Sequence, residues 1–344
     1  MNKVYIVYYD WANTRGNHAG MAYLARQLKA DKPKQIKLIK HIFRFDLNYL
    51  GRKLYTIYAP IYSFFIALYL FLVLKSNDKV FFIEYCADLP GSEQFIARIL
   101  RTLGVKNEFF GLIHQPESLL KLMFSSNELK NNIALVDKVI VFGSSLKKYL
   151  STLKDENNII QTYHYVDTNY YKPNDKKIEN ERLKVIIMGN QMRDDSLLYN
   201  IVESCPTVDF HICVGVKKNA GNINQLKNAF IHGFMTENNL LELMQVSDIS
   251  LSVMQDTVGS NVIVTSIGCG LAMVVSDVGS IRDYCNTSNS ILCTNTAESF
   301  SQAILTLVED RSRYKLMKNK SIEISKLISL EKFSVETFPK MLDF

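Results

Sequence analysis

A chain of 344 residues has room for two domains with full cores. Its 47% apolar and 22% charged residues mark a folded globular protein and exclude a disordered or collagen-like chain. The net charge of +6, from 40 Lys and Arg against 34 Asp and Glu, is spread along the sequence without a basic block interleaved with aromatics. That argues against nucleic acid as a partner and leaves an anionic ligand or an anionic membrane surface.

In chain order, "KVYIVYY" reads as a first strand. It is followed by a polar loop bracketed by Gly16 and Gly20, and then by the helix pattern "GMAYLARQLKA". The N-terminus has no apolar signal core, so a cytoplasmic location is expected. "QIKLIKHI" is a second strand. Leu54 to Leu74, "LYTIYAPIYSFFIALYLFLVL", has no charge and about the length that spans a bilayer. Its four tyrosines, its internal Pro60 and the immediate return to a strand in "KVFFIEY" argue against a span. We expect a helix that is either plain core or rests peripherally on a membrane. "SEQFIARILRTLG", "EFFGLIH", "ESLLKLMFSSNELKNNIALV", "KVIVFGS" and "IIQTYHYV" continue the alternation of helix and strand.

Residues 171–182 are polar and charged, the composition of a linker. The alternation restarts with "VIIMG" and runs through "VDFHICVG", "AFIHGF", "DISLSVM", "AMVVSD" and "SILCT". Alternating strands and helices predict βαβ units and parallel sheets. The fold expected is therefore α/β, with two tandem Rossmann-like doubly wound domains around an interdomain cleft. The first spans 1–170 and the second 183–328, and a tail helix over 329–344 crosses back to the first. The six cysteines form no CxxC pair, so they are expected as buried thiols, with no metal site.

In doubly wound sheets ligands bind beyond the C-terminal ends of the strands. Gly16 follows the first strand there, and His114 follows "EFFGLI". Arg193 lies in "NQMRDDS" after "VIIMG", placed either to pair with a diphosphate or to bond Asp194 or Asp195. In "DTVGSNVIVTSIGCGLAMVVSDVGS", Ser260 or Asn261 is set to cap a helix whose first amides favour an anion. A second glycine loop, "DVGS", follows the next strand, and a sugar diphosphate is expected between the two loops.

From Gly233 to Tyr284 the chain resembles the donor-binding half of family 4 glycosyltransferases of the GT-B fold. The likeness rests on Gly233, Asp248, Gly259 or Ser260, Cys269-Gly270, Val274-Val275, Ser276-Asp277 and Val278-Gly279. The resemblance implies retaining transfer of a sugar from a UDP- or GDP-sugar, without a metal. The donor would lie on the C-terminal domain and the acceptor mostly on the N-terminal one. It implies catalytic roles for His114, Arg193 and Asp256. Donor contacts would come from Gly16, Asn190, Arg193, Gly233, Thr257, Gly259, Ser260, Asn261, Val262 and Thr265. The family's paired glutamates fall on Thr257 and Thr265, which carry no charge; Asp256 is the substitute for the first.

The acceptor implied is a growing surface glycan, or one on a lipid carrier at the inner membrane face. Two other readings share this architecture. One is a nucleotide-sugar 2-epimerase, with Asp10, Glu84, Asp88 and Glu117 as its acids and bases. The other is a non-catalytic subunit of a partner transferase, alone or as an oligomer.

Overall fold

The computed structural model describes residues 2–11, 14–41, 49–174, 179–215 and 221–342. The chain divides into two compact units, one of Met1–Thr162 with Ser334–Phe344 and one of Tyr163–Phe333.

Unit 1 runs β1 (Val4–Tyr9), α1 (Met21–Asp31), β2 (Ile36–His41), α2 (Tyr49–Val73), β3 (Lys79–Phe82) and α3 (Glu93–Thr102). It continues with β4 (Glu108–Ile113), α4 (Glu117–Met123), α5 (Ser126–Ala134), β5 (Lys138–Val141), α6 (Ser144–Leu150) and β6 (Ile159–Gln161). Every ladder in its sheet is parallel, in the order β2-β1-β3-β4-β5-β6. The strands inside the sheet are buried along almost their whole length, as layers of helix on both faces require. Edge strand β2 keeps Lys37 and Lys40 exposed, which blunts pairing with another chain.

Two expectations for unit 1 need correction. The long helix pattern at 117–136 is two helices, because Ser125 starts a new one. Its hydroxyl accepts from the Glu128 amide while the Glu128 carboxylate accepts from the Ser125 amide, a reciprocal cap. "IIQTYHYV" is a strand only through Gln161. From Tyr163 the chain joins unit 2, where Val166 bridges Ser329 and the His164 amide donates to Tyr284 Oη at 2.9 Å.

Helix α2 packs one side on α3 and leaves the other open. Tyr55, Ala59, Ser63, Ile66, Ala67 and Leu70 face inward. Gly91, with φ +64°, lets its loop come so close that a Cβ there would lie 2.6 Å from the Ala59 backbone. Ser63 Oγ donates to Ala59 O and Gly91 O, and His41 Nε2 lies 2.8 Å from Ser63 Oγ. The described tail also belongs to this unit. Phe338 packs against Phe81, the Lys79 ammonium donates to Leu342 O, and Ser334 bonds Asp31.

Unit 2 runs β7 (Lys184–Ile187), α7 (Asp195–Ser204), β8 (Asp209–Cys213), β9 (Ala229–His232), α8 (Glu237–Val246) and β10 (Ile249–Ser252). It continues with α9 (Asn261–Gly268), β11 (Ala272–Ser276), β12 (Ser290–Cys293), α10 (Ala297–Glu309) and α11 (Arg311–Leu327). Its parallel sheet has the order β12-β11-β10-β7-β8-β9. Val185, Ile187, Phe210, Ile212, Leu251 and Val274 supply the sheet side of a core closed by Leu198, Ile201, Phe300 and Ile304. The middle of the expected linker, 175–178, lies outside the described residues. All six cysteines are buried and unbridged.

Each sheet has one place where the chain reverses its direction of winding. In unit 1 it lies between β1 and β3, in unit 2 between β7 and β10. Ligands of open α/β sheets sit at such switch points, beyond the carboxyl ends of the strands.

Candidate active site

At the switch point of unit 2, β7 leads into a loop that contains Gly189 and Asn190, and β10 leads into the loop before α9. The two loops are stitched together: Asp194 N donates to Val253 O at 3.1 Å and Gln255 N to Met192 O at 2.9 Å. Gly189 has φ +73°, and a Cβ there would meet Val262 at 3.0 Å, so the end of β7 lies against the first turn of α9. Ser260 is the cap of that helix. It has extended backbone, its hydroxyl accepts from Ile263 N, and its carbonyl accepts from Val264 N. Among the described residues the amides of Asn261 and Val262 find no acceptor, and Asn261 is exposed. Two amides and the positive end of a helix dipole therefore face outward at the switch point, an arrangement that suits an anion. Beside them, Asn190 donates to Val214 O at 3.0 Å while its buried Oδ1 has no partner among the described residues.

The rest of the expected donor set is engaged differently. The Arg193 guanidinium is nearly buried; it pairs with Asp195 at 2.6 Å and donates to Gly189 O at 2.9 Å. It therefore clamps its own loop and is not spread toward a diphosphate. Thr257 Oγ1 donates to Val258 O, and Thr265 Oγ1 to Asn261 O at 2.6 Å. Both hydroxyls at the glutamate positions are thus turned onto local carbonyls. Asp256 Oδ1 accepts from the Thr257 amide, stapling its own loop. Gly259 is buried rather than open, because a Cβ there would stand 2.0 Å from Tyr284 Oη and 2.9 Å from His164 Cβ. Gly233 follows β9 at the far edge of the sheet, two strands out from β7, or about 10 Å at normal strand spacing.

The two glycine loops are in direct contact. Ser280 N donates to Thr257 O at 2.8 Å, and Gly279 lacks a side chain because Thr257 O and Asp256 occupy that space.

Unit 1 carries a second polar group at its own switch point. Trp11, just past β1, donates its indole N–H to the Glu84 carboxyl, 2.9 Å from both oxygens. Burial pushes the Glu84 pKa up to about 8, against the lowering effect of the Trp11 bond. Behind it the wholly buried Glu93 accepts from the Glu84 amide at 2.9 Å. Burial and then the Glu84 charge push Glu93 upward as well. Asp10 gathers Lys40 at 2.7 Å, Arg15 at 3.0 Å and Arg26 at 3.5 Å. Burial would raise its pKa, but these cations hold it below the usual carboxylate value.

His114 sits at the end of β4, partly buried. Its Nδ1 has no partner among the described residues, and burial lowers its pKa to about 4. It is therefore a neutral imidazole at pH 7. Gly16 is exposed in the turn after β1 with φ +91°. Glu117 pairs with Lys121. Among the described residues no three His, Cys, Asp or Glu side chains gather as a metal site.

Sequence reasoning missed the Trp11–Glu84 pair. The signal was a lone Glu closing an apolar strand in "VFFIEY" and the chain's one tryptophan closing another.

Residues 176–310, most of unit 2, match the family model described as glycosyl transferases group 1. Over that stretch unit 2 is similar to the group 1 glycosyl transferases. No curated protein matches the chain. Among solved structures, sucrose-phosphate synthase from Thermosynechococcus elongatus is 11% identical, with a TM-score of 0.78 over 100% of this chain and 99% of that one. Anabaena HepE, solved with UDP and glucose, is 14% identical with a TM-score of 0.74, and each chain is covered to 100%. TarM of Staphylococcus aureus is 17% identical with a TM-score of 0.63, over 81% of this chain and 58% of that one. These likenesses establish a GT-B fold across the whole chain. Within the matched stretch, the outward amides of α9 lie at the point of the sheet where the winding reverses.

Proposed function

We propose that this glycosyltransferase takes its sugar from a UDP- or GDP-sugar whose pyrophosphate rests on the first turn of α9. It passes the sugar to a growing surface glycan or a lipid-linked glycan, with retention and without a metal. The observation that carries the reading is the pair of unmatched amides at Asn261 and Val262, beside the unpartnered Asn190 carbonyl. Preorganised N–H groups aimed at an anion stabilise the charge that grows on a departing diphosphate. Anabaena HepE, of similar fold, was solved with UDP and with UDP-glucose, which supports a uridine nucleotide as the first donor to try. With Thr257 and Thr265 turned inward, the grip comes from backbone amides rather than carboxylates. The 2-epimerase reading is weaker, since Asp10 is neutralised by three cations and Glu117 by Lys121.

The test exploits the position of Asn261 as the first residue of the helix, where proline is tolerated; the variant loses the backbone N–H together with the exposed side-chain amide. Ser260, with φ −130° and ψ 154°, is already in the conformation that precedes proline. Asn261→Pro should keep the melting temperature and weaken nucleoside diphosphate binding by about tenfold or more, the effect of one hydrogen bond to a charged group. Calorimetry with UDP and GDP reads this directly. An unchanged affinity would refute the site.

A further inference from the structure

Helix α2 has the length and hydropathy of a membrane span, yet it is built into a soluble sheet unit. Over Lys53–Val73 its mean hydropathy is 1.9, and only 28% of that window is buried. A core helix would be mostly covered. A spanning helix would be free of the body, whereas α2 is fastened by α3 and by the contact of Ser63 and Ala59 with the Gly91 loop.

The uncovered side has two properties that choose its occupant. First, it is broad: Ile57, Ile61, Phe64, Phe65, Leu68 and Leu72 are between 37% and 72% exposed. At 3.6 residues per turn the exposed apolar side chains cover an arc of roughly 160°. A two-helix seam between copies of the chain would use a narrower stripe. Second, charge is unevenly divided. Residues 1–162 and 334–344 hold 23 of the 40 Lys and Arg and 15 of the 34 Asp and Glu, a net +8, so the rest of the chain stands at −2. Exposed Lys53, in the second turn of α2, and exposed Lys75, just past its end, bracket the apolar stretch, with no acidic residue between them.

We infer that α2 lies lengthwise in the surface of an anionic lipid bilayer, its open face among the acyl chains and Lys53 and Lys75 at the headgroups. Apolar burial supplies the depth, and the positive unit supplies the attraction to anionic lipid. The inference is independent of the donor site, because its readout is partitioning and not transfer.

The full chain is floated with vesicles of phosphatidylcholine containing phosphatidylglycerol, and with phosphatidylcholine alone. It should rise with the anionic vesicles and less with the neutral ones. Ile61→Gln with Phe65→Gln should reduce flotation about tenfold or more, from the apolar area lost, at an unchanged melting temperature. Leu72→Gln alone, at a side chain 72% exposed, should lower it in the same direction should the double variant misfold. Leu316→Gln, on the other unit, should leave it unaltered. Wild-type protein that stays at the bottom of the gradient overturns the inference, as does equal flotation of all variants. So does a solution dimer that these substitutions dissociate while vesicles bind nothing.

Discussion

The Glu84 carboxyl makes the most exacting prediction, because the single tryptophan of the chain is hydrogen-bonded to it. Burial raises its pKa from an ordinary value of 4.5 to about 8. Below pH 4 the folded and unfolded chains are both protonated there, and the native environment carries no penalty. Between about pH 4.5 and 8 the unfolded chain releases the proton and the folded chain retains it, so stability falls as pH rises. Above pH 8 both are ionised and the loss levels off. At 1.36 kcal/mol per unit, the stability lost by pH 9 is about 5 kcal/mol. Glu84→Gln removes the titration while keeping an acceptor for the Trp11 N–H. The variant should therefore gain on wild type between pH 5 and pH 9. The gain corresponds to about 10 °C or more in melting temperature for a unit of this size. Trp11 emission should change with a midpoint near pH 8 in the wild type and stay flat in Glu84→Gln. Emission that is flat in both, or a transition shared by both, refutes the placement of the proton.

Other outcomes follow from the same contacts. Gly259→Ala should destabilise by about 3 kcal/mol in denaturant melts, from overpacking on Tyr284 and strain on its bond from the buried His164 amide, and Tyr284→Phe should recover part of the loss. Thr265→Val removes a hydroxyl engaged with Asn261 O, so the donor KM should move less than about twofold, within the usual effect of an uninvolved group. A tenfold rise would show that the hydroxyl turns to the ribose. Arg193→Met should lower stability by about 2 kcal/mol through the lost bonds to Gly189 O and Asp195, with nucleotide affinity falling only in proportion. Full stability with abolished binding would restore Arg193 as a diphosphate ligand.

The strands were legible because a parallel sheet covered on both faces demands near-continuous apolar runs. "KVYIVYY", "VIIMG" and "AMVVSD" each became a strand. The start of α9 was legible because Ser260 precedes an apolar stretch and caps it as the pattern suggests. The side-chain orientations were not. Arg193, Thr257 and Thr265 each had a local carbonyl or carboxylate within reach, and a bond made within one loop prevailed over one to a ligand. Gly259 and Gly279 read as open phosphate turns, yet each is small because a neighbour occupies its Cβ position: Tyr284 in one case, Thr257 O in the other. The neighbour of Gly259 lies 25 residues away in sequence and is invisible to any short motif.

Phe338 and Leu342 close the far side of β3, yet they are translated only after all of Tyr163–Phe333. On the ribosome the first sheet therefore stands with Phe81 and the Lys79 ammonium unmet by the tail while the second unit emerges. A nascent chain halted in that interval would show protease-sensitive β3 beside an already resistant second unit, an order of maturation opposite to the order of synthesis.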